Sequence, residues 1–208
     1  MSPAIRTGRL RRETTETTVE AAVNLDGAGT AAVRTGIGML DHLIEQIARH
    51  SRIDIAIDVP ASDLDRDAHH LVEDVAITLG QALSGALGDR AGIVRMADAT
   101  VPMDEALALV ALDISGRPFV AFDVHFDGER IGALPTEMIE HFLWSLAVNA
   151  GLTLHVRLLA GRNDHHRAEA IVKALARALG AAVRVDPRLA GAVPSTKGVI
   201  GSGSAASS

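Results

Sequence analysis

Apolar and polar residues alternate with a period of two in Thr17–Leu25 and again in Ile53–Val59. This alternation is typical of β-strands that bury one face. The segment Asn24–Gly29 reads Asn-Leu-Asp-Gly-Ala-Gly, which predicts a hairpin turn. A further strand is predicted at Leu107–Ile114, ended by Ser-Gly-Arg-Pro, with Phe119–Phe126 as its hairpin partner.

Apolar residues at helical spacing predict helices over Met39–His50 and His69–Leu87. A second series follows, with a helix at Thr136–Asn149, a strand at Leu152–Leu159 and an amphipathic helix at His166–Val183. Helix, strand, loop with a double histidine, and helix thus occur twice, which indicates an internal duplication.

We therefore expect an α+β fold of two similar halves, residues 1–95 and 96–200, each a small β-sheet covered by helices on one face. The Gly/Ser/Ala-rich segment 201–208 has little to bury and is predicted to be a disordered tail.

The composition removes several classes of function. Of the 208 residues 48% are hydrophobic and 22% are charged, as in ordinary globular proteins. The formal net charge of −6 argues against nucleic-acid binding, and no apolar stretch predicts a membrane span or a secretory signal. Since the chain has no cysteine, we expect a cytoplasmic protein in which any metal ion is bound by histidines and carboxylates.

The string His-His-x-x-Glu occurs once in each half, as His69, His70 and Glu73, and as His165, His166 and Glu169. On a helix, at about 100° per residue, these side chains lie in one sector, yet the adjacent histidines point in different directions. This divergence suits a pair of metal sites, in which one histidine and the glutamate bind one ion and the other histidine reaches a second.

Each half adds one histidine on its preceding helix, His42 and His141. Six histidines and two glutamates divide into two sites of three imidazoles and one carboxylate, which suits Mn(II), Fe(II), Co(II) or Zn(II). We expect Asp41 or Asp74, and Glu140, to accept hydrogen bonds from the ring nitrogens.

Alternatives remain open at this point. A dinuclear hydrolase with a bridging hydroxide needs the same eight ligands, and so does a metal-storage or metal-assembled structural protein. Arg95, Arg117, Lys173 and the segment from Ser195 have the charges and hydroxyls that bind phosphate, or they are solvated surface residues.

Six ordered motifs cover nearly the whole chain, from Arg6 to Ile200. They begin at Gly36 (Gly-Ile-Gly-Met-Leu-Asp-His), Ala68 (Ala-His-His-Leu-Val-Glu-Asp), Val101 (Val-Pro-Met-Asp-Glu-Ala), Ser115 (Ser-Gly-Arg-Pro), Asn163 (Asn-Asp-His-His-Arg-Ala-Glu-Ala) and Pro194 (Pro-Ser-Thr-Lys-Gly-Val). Together they resemble the imidazoleglycerol-phosphate dehydratases of histidine biosynthesis. The chain departs from the common family pattern at Ala68, where many members have Asp, and at Met39, where an aromatic residue is common.

The resemblance implies a duplicated fold of the ribosomal protein S5 domain 2-like type, two Mn(II) ions per active site, and a homo-oligomer of about 24 subunits with active sites between subunits. It implies Glu16 as the acid/base residue. The implied metal ligands are His42, His69, His70, Glu73, His141, His165, His166 and Glu169. The implied contacts to substrate are Gln46, His50, Arg95, Arg117, Lys173, Ser195, Thr196 and Lys197.

The implied reaction is a hydro-lyase step that converts imidazole-glycerol phosphate to imidazole-acetol phosphate and water. No carbonyl acidifies the C–H bond that must break, so the imidazole ring has to supply the activation. Held between two metal ions as an imidazolate, the ring expels the hydroxyl and gives a diazafulvene-like intermediate. Glu16 then moves the protons, and the phosphate contacts orient the reacting carbons.

Overall fold

Ten β-strands and four α-helices make up the part of the chain that the computed structural model describes, residues 5–200. The first half contains β1 (Thr7–Glu13), β2 (Thr18–Asn24), β3 (Ala31–Arg34), α1 (Gly38–Ser51), β4 (Asp54–Ala61) and α2 (His69–Leu87). The second half contains β5 (Met96–Met103), β6 (Ala106–Asp113), β7 (Phe119–Asp123), β8 (Arg130–Ile131), β9 (Leu134–Pro135), α3 (Glu137–Ala150), β10 (Thr153–Ala160) and α4 (Asp164–Ala182), and a 3-10 turn follows at Pro187–Leu189. The predicted tail at 201–208 lies outside the described residues.

The two halves share one topology. The first sheet has the order β1-β2-β4-β3 and the second the order β5-β6-β10-β7. In each of these sheets the first three strands are antiparallel to one another in order, and the fourth is parallel to the third. The short helices α1 and α3 have 14 residues each, and the long helices α2 and α4 have 19 each. The predicted α+β duplication is therefore confirmed, while the division into domains at residue 95 stays a prediction.

The helices form a double layer between the two sheets. Helices α1 and α2 cover one face of the first sheet, and α3 and α4 cover one face of the second. Across the halves, α1 packs on α4 and α2 packs on α3. The alternation seen in the sequence has this origin, since Val19, Ala21 and Val23 of β2 are buried under the helices. None of the helices described in residues 5–200 has the length and hydropathy of a membrane span.

Two predicted hairpins are wrong. The strand β7 does not pair with β6; it lies parallel to β10, with Phe119 opposite Thr153. The turn at Asn24–Gly29 leads into β3, which pairs with β4 and not with β2. This turn is anchored at the start of β4, because the carboxylate of Asp54 accepts hydrogen bonds from the backbone N–H groups of Ala28, Gly29 and Thr30 at 2.9, 3.0 and 2.8 Å.

The sequence pattern also missed five strands, the short pair β8 and β9 and, in the four-stranded sheets, β1, β3 and β5. Each is an outer strand of its sheet. Strand β1 reads Thr-Gly-Arg-Leu-Arg-Arg-Glu and leaves its arginines largely in water, so it lacks the apolar alternation of the central strands. Edge strands bury less of their surface and carry more charge, which weakens the signal.

Helix α4 approaches α1 closely at Gly180. A Cβ atom placed there would lie 2.4 Å from the carbonyl oxygen of Ser51, so even alanine forces the helices apart. We expect Gly180→Ala to lower the free energy of unfolding by about 1–3 kcal/mol in chemical denaturation. The matched control is Gly85→Ala in α2, where a Cβ meets no atom within 4 Å. That change should stabilise the protein by about 0.5–1 kcal/mol, and equal effects at the two positions would contradict the close approach.

Candidate metal and substrate sites

Three predicted ligands meet where α1 packs on α4. His42 of α1 places Nε2 3.5 Å from the Oε2 atom of Glu169, and His165 places Nε2 3.2 Å from the same oxygen. His165 and Glu169 are four residues apart and share one face of α4. We call this set the α1–α4 triad.

Three more predicted ligands meet where α2 packs on α3. The Nε2 atom of His141 on α3 lies 3.6 Å from Oε1 of Glu73, and the ring centroids of His69 and His141 are 4.5 Å apart. We call this set the α2–α3 triad. In each triad all three ligand atoms lie within 4.8 Å of one another.

Each triad therefore combines both halves of the chain. The long helix of one half supplies the His-x-x-x-Glu pair, and the short helix of the other half supplies the third ligand. Two imidazoles and one carboxylate suit a first-row divalent cation with positions left open. The Nε2 atom of His141 is buried without a hydrogen-bond partner among the described residues, which fits the role of a metal ligand.

The second histidine of each string points away from the triad beside it. The ring of His70 is nearly perpendicular to that of His69, at 85°, and the ring of His166 to that of His165, at 86°. His70 forms a 3.0 Å hydrogen bond from Nδ1 to Asp63. His166 forms a 2.7 Å hydrogen bond from Nδ1 to Glu105. The structure thus joins six of the eight predicted ligands into two triads and leaves these two histidines outside them.

These hydrogen bonds shift the pKa values of His70, His166 and Glu105. The hydrogen bond that His70 donates to Asp63 raises the pKa of His70, and the one that His166 donates to Glu105 raises the pKa of His166. The bond from His166, with the backbone N–H groups of Asn163 and Arg162, lowers the pKa of Glu105 to about 2.

The acceptors expected for the ring nitrogens are wrong in two cases. Asp41 accepts instead from the backbone N–H and the hydroxyl of Thr35, at 2.8 and 2.6 Å. Asp74 accepts from Arg12 and Thr17 of the β1–β2 region. The acceptors in the structure are Asp63 and Glu105, and the sequence predicted neither. Glu105 is 61 residues from His166, whereas Asp63 is 7 residues before His70 in the loop between β4 and α2, where no regular spacing indicates the contact.

Glu16 lies in the turn between β1 and β2, next to His70. Its Oε1 atom is 3.7 Å from Nδ1 of His70, and 42% of its side chain is exposed. The exposed carboxylate is open to a substrate on the same side as the histidine.

Five of the predicted substrate contacts line one cavity of about 910 Å³, namely Arg95, Arg117, Ser195, Thr196 and Lys197. The guanidinium of Arg95 is fixed by Asp113, at 2.7 and 3.0 Å, and by the carbonyl oxygen of Pro194 at 2.7 Å. Cationic and hydroxyl donors in one cavity can bind a phosphate.

The other three predicted contacts lie on α1 and α4. His50 Nε2 is 2.9 Å from the side-chain oxygen of Gln46, and the ammonium of Lys173 is 2.6 Å from Glu169. Burial, followed by the positive charges of Lys173 and Arg177, lowers the pKa of His50. His50, Lys173 and Arg177 form a second basic group, which borders the α1–α4 triad and not the cavity. Arg177 was not among the residues predicted from the sequence.

Comparison with known proteins agrees with the resemblance. The model of the imidazoleglycerol-phosphate dehydratase family matches residues 35–179. The chain is 54% identical over 197 residues to the imidazoleglycerol-phosphate dehydratase of Nitrobacter hamburgensis, covering 95% of this chain and 100% of the relative. It is 52% identical over 195 residues to that of Dehalococcoides mccartyi strain CBDB1, covering 94% and 97% of the two chains.

Solved structures show the same likeness. The fold matches the crystal structure of imidazoleglycerol-phosphate dehydratase from Staphylococcus aureus with a TM-score of 0.79 at 34% identity, over 86% of this chain and 99% of that one. It matches the enzyme from Pyrococcus furiosus, solved in complex with (S)-C348, with a TM-score of 0.78 at 34% identity, over 92% and 100% of the two chains.

Proposed function

This chain belongs to the imidazoleglycerol-phosphate dehydratase family and is a dehydratase of histidine biosynthesis, and on that basis we propose how its residues divide the work. The family acts on a phosphorylated imidazole and is metal-dependent. Membership in this family decides against the hydrolase and the metal-storage protein, the two alternatives that the ligand pattern had left open.

We propose that each triad holds one Mn(II) ion, so that one active site uses two. The observation that carries this proposal is the pair of triads, built alike from two histidines and a glutamate on two helix pairs. Each proposed metal site has three imidazoles, and the third one is supplied by His70 or by His166. When bound, the cations act as Lewis acids on the imidazole ring of the substrate.

Glu16 transfers protons in the proposed mechanism. Dehydration removes a hydroxyl from one carbon and a proton from the next. Glu16 accepts the proton from carbon and delivers it to the carbon that lost the hydroxyl as the enol becomes a ketone, imidazole-acetol phosphate; the departing hydroxide takes up the enol O–H proton and leaves as water. Its exposed carboxylate beside His70 is suited to this exchange.

Arg95, Arg117 and the segment 195–197 bind the phosphate in the proposed site, because they converge on one cavity. Within one chain this cavity is separate from the second basic group and from Gln46, which is hydrogen-bonded to His50. We propose that they meet across a boundary between copies, in a homo-oligomer of about 24 subunits. A cytoplasmic location is proposed from the absence of cysteine.

The test is a coupled assay of the purified protein with imidazole-glycerol phosphate and Mn(II), read as formation of the ketone. We expect activity that a chelator abolishes and added Mn(II) restores. A folded, manganese-loaded sample that forms no ketone would sink the proposal.

Manganese retention should depend on pH. An imidazole binds a metal only when it is neutral, and hydrogen bonds to Asp63 and Glu105 raise the pKa of His70 and His166 above the ordinary 6.5. Protons therefore compete for these two ligands already above pH 6.5, and bound manganese should be nearly lost at about pH 4.5. Elemental analysis after gel filtration at a series of pH values measures this.

The stability of the metal-free protein should depend on pH in the opposite direction to manganese retention. Because the raised pKa values mean tighter proton binding in the folded state, the two ion pairs stabilise it below about pH 6.5 and are lost as the pH rises through the raised values. Full manganese retention at about pH 4.5 would contradict a histidine-rich site.

A further inference from the structure

The turn that carries Glu16 has its own internal hydrogen bonds. The N–H of Thr14 donates to the carbonyl of Thr17 at 2.9 Å, and the hydroxyl of Thr14 accepts from the N–H groups of Glu16 and Thr17 at 3.2 and 2.9 Å. These bonds shape the turn. They do not fix its position relative to the helix that carries His70.

One buried carboxylate connects the turn to that helix. Asp74 of α2 is 5% exposed and follows Glu73 directly. It accepts hydrogen bonds from the guanidinium of Arg12 at 2.7 Å, from the hydroxyl of Thr14 at 3.4 Å and from the hydroxyl of Thr17. Thr17 is itself 2% exposed. Three donors from the end of β1 and the turn thus meet on one residue of the ligand-bearing helix.

In the second half the glutamate that corresponds to Glu16 is held in a different way. Glu105 corresponds to Glu16, because each lies two residues before the strand residue that pairs with Ala160 or Ala61. The carboxylate of Glu105 accepts from the N–H groups of Arg162 and Asn163 at 3.1 and 2.8 Å and bonds to His166 at 2.7 Å.

The carboxylate oxygens of Glu105 are thus occupied as hydrogen-bond acceptors. At the position in α4 that corresponds to Asp74 the chain has the buried Ala170. Glu16 makes no backbone hydrogen bond through its carboxylate within residues 5–200, so its position depends on the turn.

We propose that Asp74 and Thr17 are positioning residues, which hold the β1–β2 turn on α2 so that Glu16 faces the site while its carboxylate oxygens stay free to exchange a proton. This inference rests on the proposed proton-transfer role of Glu16. The two glutamates differ in geometry: the oxygens of Glu105 accept three hydrogen bonds, whereas Glu16 is placed by the turn and its oxygens stay accessible to a substrate.

The primary test is Thr17→Val, which removes the hydroxyl and keeps the shape of the side chain. We expect kcat to fall about 10–100-fold, because a displacement of about 1 Å is costly at a reacting atom, with KM and bound manganese unchanged. Thr17→Ser, which keeps the hydroxyl, should recover most of the turnover. Thr78→Val is the matched control: Thr78 is also buried, and its hydroxyl bonds to the backbone carbonyl of Asp74 and not to the turn.

A double variant separates positioning from general damage. If Thr17 acts through Glu16, Glu16→Gln/Thr17→Val is no slower than Glu16→Gln alone. Multiplied losses, a fall in manganese content, or an equal loss in Thr78→Val would overturn the inference. Should Thr17→Val fail to fold, Arg12→Gln weakens the same anchor from its more exposed end, and unchanged kcat in that variant would count against the proposal.

The outcomes also distinguish the inference from its premise. Normal turnover in Thr17→Val, with Glu16→Gln inactive, overturns the positioning role and leaves Glu16 in place. Normal turnover in Glu16→Gln removes the proposed acid/base residue itself.

Discussion

Replacing Glu16 with glutamine should lower kcat by about 10²–10⁴-fold, the range for loss of an acid–base group. The substitution keeps the shape of the side chain and removes its ability to accept a proton. Glu16 lies outside both triads, so bound manganese and KM should change little. Steady-state kinetics of the manganese-loaded protein, with elemental analysis of the same sample, measure both.

The matched control is Glu13→Gln, at the end of β1 and three residues before Glu16. Glu13 is largely exposed and pairs with Arg11, on the surface of the sheet. Its kcat should equal that of the unmodified protein, since exposed ion pairs contribute little. Near-normal turnover in Glu16→Gln, or loss of its manganese, would refute the assigned role.

Two inactive variants should restore activity when they are combined. His42→Ala removes a ligand of the α1–α4 triad, and His141→Ala removes one of the α2–α3 triad. Each alone should lower turnover by about 10²-fold or more, because the site loses a direct ligand. If an active site joins the α1–α4 triad of one subunit to the α2–α3 triad of another, random mixing leaves about one quarter of the sites intact.

Coexpression with two different tags and purification through both yields the mixed assemblies. We expect their turnover to reach about one quarter of that of the unmodified protein at equal subunit ratio. Mixed assemblies no more active than their parents would show that both triads of one site come from a single chain. His125→Ala serves as the control, because 86% of this side chain is exposed in the loop after β7.

The ligand strings illustrate how far local pattern reaches. His69 with Glu73, and His165 with Glu169, share helix faces because the spacing of four residues dictates it. The divergence of His70 and His166 follows from the same geometry. The assignment of a metal ion to each set stays a prediction, while the family and the reaction are confirmed by the comparisons.

Local sequence pattern could not predict that each triad combines ligands from both halves of the chain. Nothing near His42 in the sequence indicates that it meets Glu169 and not Glu73. The contact exists because α1 packs on α4, and Gly180 allows the two backbones to come close. The order of the strands is a similar case, since β3 and β7 each pair with a strand that follows them after an intervening helix.

The sequence alone was enough to predict the helices, the central strands, the duplication, the eight candidate ligands and the family. Each of these depends on residue types at short spacing or on ordered motifs. Only the tertiary structure decided which half supplies each third ligand, that Asp63 and Glu105 bond the diverging histidines, and that Asp74 holds the turn of Glu16. Asp63 and His70 are 7 positions apart, but the other contacts join residues from about 57 to 127 positions apart. They depend on how whole helices and sheets pack once apolar faces are buried.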